Sequence, residues 1–249
     1  MSGHSKWAQI KHRKAATDAR RGQLFTKLAR AITVAAREGG GDPDANFTLA
    51  AAVQKARDYS MPKDNIQRAI DRGTGAGGGD EQIERVVYEG YGPGGAAILV
   101  DTLTENRNRT SADVRHLFDK HGGSLGEPGS VAWVFEKRGV VVVDGERYSE
   151  DDLMPAIEAG ALDIGVDDDV FEVLTEPGDL PAVRAALEEA GIELQSAEVT
   201  QLPTTKVHLD EDGATKLMRL IDTLEDNDDV GDVHANFDVD ADVLERVAG

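Results

Sequence analysis

Residues 139–202, GVVVVDGERYSEDDLMPAIEAGALDIGVDDDVFEVLTEPGDLPAVRAALEEAGIELQSAEVTQL, decide the fold. The valine run opening at Gly139 reads as a strand, and Ser149 to Ala159 as a helix. A short strand near Leu162 and the FEVLT strand follow. A second helix covers Asp179 to Ala190, and a last strand runs from about Ile192 to Leu202. The order β-α-β-β-α-β is the split-βαβ, ferredoxin-like signature. It sets the class as α+β.

Upstream of this unit, IERVVYEGY and AAILVDTLT flank GPGG and read as a hairpin. A helix is expected from about Thr110 to His121, then a strand at SVAWVFE. Downstream, a helix from Gly213 to Leu224 and an extended segment from Val230 to Phe237 remain. That pair is too small to bury its own faces, so it is expected to complete the unfinished unit at Val86 to Glu136. Residues 137–203 then form an insertion. Near the N-terminus, Leu24, Phe25, Leu28, Ile32 and Ala35 recur at helical steps, and GGGDPD ends the run. A second helix is expected from Asn46 to Arg57, and a third from Pro62 to Arg72. GTGAGGGD, Gly73 to Asp80, reads as a linker.

Three domains are therefore expected. Residues 1–79 carry a basic arm and three helices. Residues 80–136 with 204–249 form a discontinuous α/β domain of the split-βαβ kind. Residues 137–203 form an inserted, acidic, ferredoxin-like domain.

The chain has 249 residues, a formal net charge of −20, and no cysteine. Disulfide and thiolate chemistry are thereby excluded. No apolar run is long enough to span a membrane, and the start lacks a signal-peptide core, so a cytoplasmic protein is expected. Against this acidic background the first 37 residues are basic. Lys6, Lys11, Arg13, Lys14, Arg20, Arg21, Lys27, Arg30 and Arg37 face only Asp18. From residue 134 onward the balance reverses, with 8 basic against 31 acidic residues. Such asymmetry points to a polyanionic partner for the N-terminal end. Trp7, His4 and His12 lie within the basic run and can stack on unpaired bases. Arg107 and Arg109 open a helix, where cations and free backbone N–H groups together suit a phosphate; pairing with Glu105 or Asp113 is the alternative.

Catalytic motifs fail on context. GGSLG matches G-x-S-x-G at Ser124, but a helix precedes it and a strand follows, the reverse of a nucleophile elbow. GYGPGG joins two strands and so offers no helix end to a dinucleotide. It is a hairpin turn, or a bare loop that approaches a nucleic-acid strand. DVDADV lacks the glycine and the glutamate of a calcium loop. The six histidines are scattered, so no zinc site is expected. No enzyme, cofactor or metal is expected.

GHSKWAQIKHRKAATDARRGQLFTKLAR, MPKDNIQRAIDRGTG, YEGYGPGG, LTENRNRTSADVRHLFDKHGG and GSVAWVFEKRG together resemble the YebC/PmpR family, which includes the mitochondrial translational activator of cytochrome c oxidase. The resemblance implies three domains, with the third inserted in the second. It also implies a non-enzymatic regulator: a ribosome-bound translation factor relieving stalls at proline-rich stretches, or a DNA-binding transcriptional regulator. It assigns contact with ribosomal RNA and tRNA to Gly3, His4, Ser5, Lys6, Trp7, Lys11 and Lys14. His12, Arg13, Arg20, Arg21, Lys27, Arg30, Arg107 and Arg109 join that expected nucleic-acid surface on charge and position. Phe47 and Ala50 stand where relatives often carry more polar or basic residues.

Overall fold

The computed structural model describes residues 18–76, 83–167, 169–240, 243 and 246–247. These form two compact units, one of residues 18–133 with 215–235, the other of residues 134–214 with 236–240.

The first unit opens with α1 (Asp18–Gly39), α2 (Phe47–Asp58) and α3 (Lys63–Gly73). Leu28, Ile32, Ala35, Leu49, Val53, Ala56, Ile66 and Ile70 fill one core between them. Asn46 sets the corner between α1 and α2. Its side-chain oxygen accepts the Leu49 N–H at 3.1 Å, capping α2. Its amide donates to the Ala35 and Gly40 carbonyls at 2.8 and 2.9 Å, so the same residue ties the last turn of α1 to the chain that leaves it. Pro62 precedes α3 with φ −59°, pre-set for helix entry. The linker expected from Gly73 begins inside α3, and residues 77–80 lie outside the described ones.

Next come β1 (Glu84–Tyr91) and β2 (Ala97–Thr104), a hairpin in register from Glu84 opposite Thr104 to Tyr91 opposite Ala97. Gly92 N–H donates to the Ala96 carbonyl at 2.7 Å. Gly94 and Gly95 take φ of 74° and 81°, the left-handed region that glycine enters at little cost. The helix α4 (Arg107–Lys120) starts three residues earlier than expected, because Asn106 caps it by accepting the Arg109 N–H at 3.1 Å. β3 (Ser124–Leu125) then pairs with β1, so β2, α4 and β3 form a split β-α-β about β1. The later helix α7 (Glu211–Glu225) and strand β9 (Val230–Ala235) supply the missing pieces. β9 pairs antiparallel with β2, giving the order β3-β1-β2-β9. Leu217, Met218, Leu220, Ile221 and Leu224 of α7 are buried, and Phe118 of α4 is fully enclosed.

The second unit is built on β4 (Phe135–Asp144), α5 (Met154–Glu158), β5 (Ala161–Asp167), β6 (Val170–Thr175), α6 (Leu180–Glu189) and β7 (Leu194–Pro203). Their sheet order β5-β6-β4-β7, antiparallel throughout, is the ferredoxin-like arrangement. Val141, Val143, Leu153, Val173, Val183 and Leu187 form the core beneath it. Two local readings change. The strands expected at SVAWVFE and GVVVV are one, because residues 132–134 make a 3₁₀ turn and β4 then runs unbroken through Gly139. The helix expected over Ser149 to Ala159 divides into a 3₁₀ turn, Glu150–Leu153, and the short α5, with Pro155 in the first turn of α5. Two further strands, β8 (Val207–His208) and β10 (Phe237–Asp238), pair in parallel.

Phe118 lies against Gly90, where an added Cβ would meet its ring at 2.7 Å and the Ser124 carbonyl at 2.7 Å. Phe118→Ala is expected to lower unfolding free energy by about 3–5 kcal/mol, and Gly90→Ala by about 1–3 kcal/mol through overpacking. Urea titration of each variant checks both values.

Candidate nucleic-acid interface

Asp229 organises the charged side of the first unit. It is 5% exposed, so its carboxylate needs donors from the protein. Arg109 Nη2 donates to Oδ2 at 2.6 Å and Arg30 Nη1 to Oδ1 at 3.2 Å. The buried hydroxyls of Thr110 and Thr104 donate to Oδ2 at 2.7 and 3.3 Å. Burial pushes this carboxyl up. The hydrogen bonds from Arg109 and Thr110, with the charges of Arg109 and Arg30, outweigh burial and hold it below the usual aspartate range.

The same side of α1 latches onto the segment that follows α7. Lys27 donates to the Glu225 carbonyl, at the helix end where cations are favoured. Gln23 donates to the Asp226 carbonyl at 2.7 Å and to Asp228 Oδ1 at 3.0 Å, and Arg30 to the Asp228 carbonyl at 2.8 Å. Lys55 of α2 meets both oxygens of Asp232 at 3.1 Å.

The expected contact residues therefore fall into three groups. Gly3, His4, Ser5, Lys6, Trp7, Lys11, His12, Arg13 and Lys14 lie outside the described residues, as does the side chain of Arg20. Lys27, Arg30 and Arg109 hold internal acceptors, although the Arg109 side chain keeps 54% of its surface exposed. Its partner is Asp229, 120 residues away, and not the local Glu105 or Asp113. Arg21 and Arg107 are exposed; Arg21 stands 5.5 Å over the Phe25 ring.

Sequence reasoning missed two features. Glu89, 8% exposed, accepts the backbone N–H groups of Gly129, Val131 and Ala132 at 2.6, 2.8 and 2.8 Å. Burial raises its carboxyl, and the three amides more than reverse that, leaving it below the usual glutamate range. The loop so fixed presents Trp133, which is 70% exposed. Trp133 Nε1 and the Tyr91 hydroxyl both donate to the Ser130 carbonyl, at 3.0 and 3.2 Å. The second feature is a hollow of about 530 Å³ lined by Pro93, Gly94, Lys120, His121, Gly122, Lys216 and Arg219. Glycines in YEGYGPGG and LFDKHGG hinted at bare turns, but no sequence signal joined them to Lys216 and Arg219.

Ser124 sits in β3 opposite Tyr91, on a strand that follows a helix. Among the described residues no group of acids and histidines suits a metal ion, and no helix is long and apolar enough to cross a membrane.

Two family profiles match the chain: "TACO1/YebC protein N-terminal domain" over residues 5–76, and "TACO1/YebC second and third domain" over residues 83–237. A protein of Rubrobacter xylanophilus is 58% identical, with both chains covered in full, and is named a probable transcriptional regulatory protein. One of Pelotomaculum thermopropionicum, named likewise, is 52% identical over 96% of this chain and all of its own. The crystal structure of the conserved hypothetical protein Aq1575 from Aquifex aeolicus superposes with a TM-score of 0.82 at 46% identity, covering 94% of this chain and 97% of that one.

Because the folded-state pKa of Asp229 is depressed, its stabilisation is complete above the unfolded value of about 3.9 and is lost as pH falls through the folded value. Asp229→Asn is expected to cost about 2–3 kcal/mol at pH 7. The gap between wild type and variant is expected to close on acidification toward pH 2, which urea titrations across that range will measure.

Proposed function

The chain belongs to the TACO1/YebC family, and from that premise we propose that it is a nucleic-acid-binding regulator of gene expression which acts as a translation factor on the ribosome. The relatives' names support the regulatory class, and they name no enzyme. The carrying observation is the polarity of charge. Nine basic residues stand against Asp18 in the first 37, while the chain as a whole has net charge −20. Within the described part of that basic segment, Lys27 and Arg30 hold acceptors in the fold. Contact with ribosomal RNA and tRNA therefore falls to Gly3, His4, Ser5, Lys6, Trp7, Lys11, His12, Arg13 and Lys14, flanked by Arg20 and Arg21. The acidic inserted domain, residues 137–203, confines nucleic acid to that end by repulsion. In this reading the protein relieves elongation stalling at proline-rich stretches, as the family resemblance implies, and works in the cytoplasm.

DNA-binding transcriptional regulation is the second reading, and the relatives' printed names favour it. The geometry of α3 speaks against it. Of the helices described, α3 is the one entered by a tight turn from another helix, with Ser60 at φ 59° between them. A recognition helix presents donors to base edges. Here Asp64 is exposed beside Lys63 and Arg72, Gln67 donates to half-buried Asp71 at 2.8 Å, and Arg68 is turned back on Asn65 and the Asp64 carbonyl. Irregular RNA, contacted by a basic segment with stacking residues, suits these features better.

Removing residues 1–17 leaves Asp18–Gly39 of α1 in place. The truncated protein is expected to keep the cooperative urea unfolding of the full chain and to lose co-sedimentation with ribosomes. Undiminished co-sedimentation would overturn the reading. In-cell crosslinking then separates the alternatives: recovered ribosomal RNA and tRNA support translation, and recovered promoter DNA supports transcription.

A further inference from the structure

The hollow beside the hairpin turn gathers positive charge from two separate helices. Lys120 ends α4, where the helix dipole favours a cation. Lys216 and Arg219 stand one turn apart on α7, both exposed. No carboxylate is among the described residues that line it. In a chain with 47 acidic against 27 basic residues, a recess lined in this way runs against the composition. Like charges brought together repel one another, and an anion seated among them relieves that repulsion.

His121 reports the resulting field. Burial pushes its imidazole down, and the charges of Lys120 and Arg219 push it further, which favours the neutral form. Its Nε2 is buried and has no hydrogen-bond partner among the described residues. Two glycines are among its lining residues. Gly94 lies at the tip of the hairpin turn, and Gly122 takes φ 78° with open space where a Cβ would stand. Absent side chains let a ligand approach the main chain closely. A volume of about 530 Å³ holds a group far larger than a water molecule.

We propose that this hollow binds a phosphodiester of a nucleic-acid strand, with Lys120, Lys216 and Arg219 neutralising its charge and the Gly94 and Gly122 backbone admitting it closely. The site deepens the reading above and rests on it only for the identity of the strand. It is a second contact, built from residues far in sequence from the basic N-terminal segment.

The test uses the full chain, wild type and a Lys120→Gln, Lys216→Gln, Arg219→Gln triple variant. One probe is inorganic phosphate, the other an oligoribonucleotide of about ten nucleotides. With both probes the His121 pKa, followed by imidazole proton resonances, is expected to rise in the wild type, because an adjacent anion stabilises the imidazolium. The triple variant is expected to bind the oligonucleotide about tenfold more weakly, and its log–log salt slope to flatten by about 1. Unchanged affinity and slope would overturn the proposal. A His121 response to inorganic phosphate, with oligonucleotide binding indifferent to the variant, would overturn the strand assignment and leave a small-anion site. Should the triple variant fail to fold, the wild-type titration decides, and a His121 pKa unmoved by saturating oligonucleotide refutes the site. Loss of ribosome binding is scored separately, so a failed translation reading leaves this result standing.

Discussion

A carboxylate withdrawn from water has to be answered by donors, and Asp229 imposes that constraint on three parts of the first unit at once. Its oxygens draw in Arg30 from α1, Arg109 and Thr110 from α4, and Thr104 from the end of β2. The Asp229 carbonyl accepts the Leu103 N–H at 2.8 Å, so backbone and side chain fix the same corner. Because a lone buried charge costs several kcal/mol, these partners are a condition of the fold and not an ornament on its surface. The arrangement also explains how α4 tolerates two arginines in its first turn. The dipole there disfavours cations, but the Asp229 carboxylate sits against that turn and reverses the local balance.

Charge on this protein thus has two uses. On α1 and α2, Lys27, Arg30 and Lys55 bind carbonyls and carboxylates belonging to α7 and the segment after it. They hold the helical block against the sheet. Elsewhere, as at Lys120 and Arg219, cations line a recess. Composition alone treats the two kinds alike, which is why Arg30 and Arg107 entered the expected surface on equal terms. Geometry separates them.

The parts of the fold that were legible in sequence are those encoded by near neighbours. Helical spacing from Leu24 to Ala35 announces α1, Pro62 announces the start of α3, and GPGG announces the hairpin. The alternation of valine runs and helices over residues 139–202 was enough to give the ferredoxin-like order. Less legible were features decided by a single local competitor. Asn106 moved the start of α4, and residues 132–134 took a tight turn that let β4 continue through the expected break at Gly139. Features made by distant partners could not be read at all. Arg109 finds Asp229 at a separation of 120 residues, and the hollow joins Lys120 to Arg219 across the whole inserted domain. No periodicity or spacing rule reaches that far.

Glu89 carries an implication of another kind. The loop after β3 takes its shape from three main-chain amides gripped by one side chain about forty residues upstream. Main-chain amides are common to all residues but proline, so the grip itself asks little of side-chain identity; Gly129, at φ 88°, and fully buried Val131 are held to theirs by conformation and packing. Trp133, 70% exposed, stands on that support without being part of it. Aspartate at position 89 would loosen the grip, because its carboxylate falls short by one carbon–carbon bond, about 1.5 Å. The exposed ring and the carboxylate beneath it are thus far apart in sequence, so a substitution at Trp133 leaves the three amide contacts of Glu89 in place.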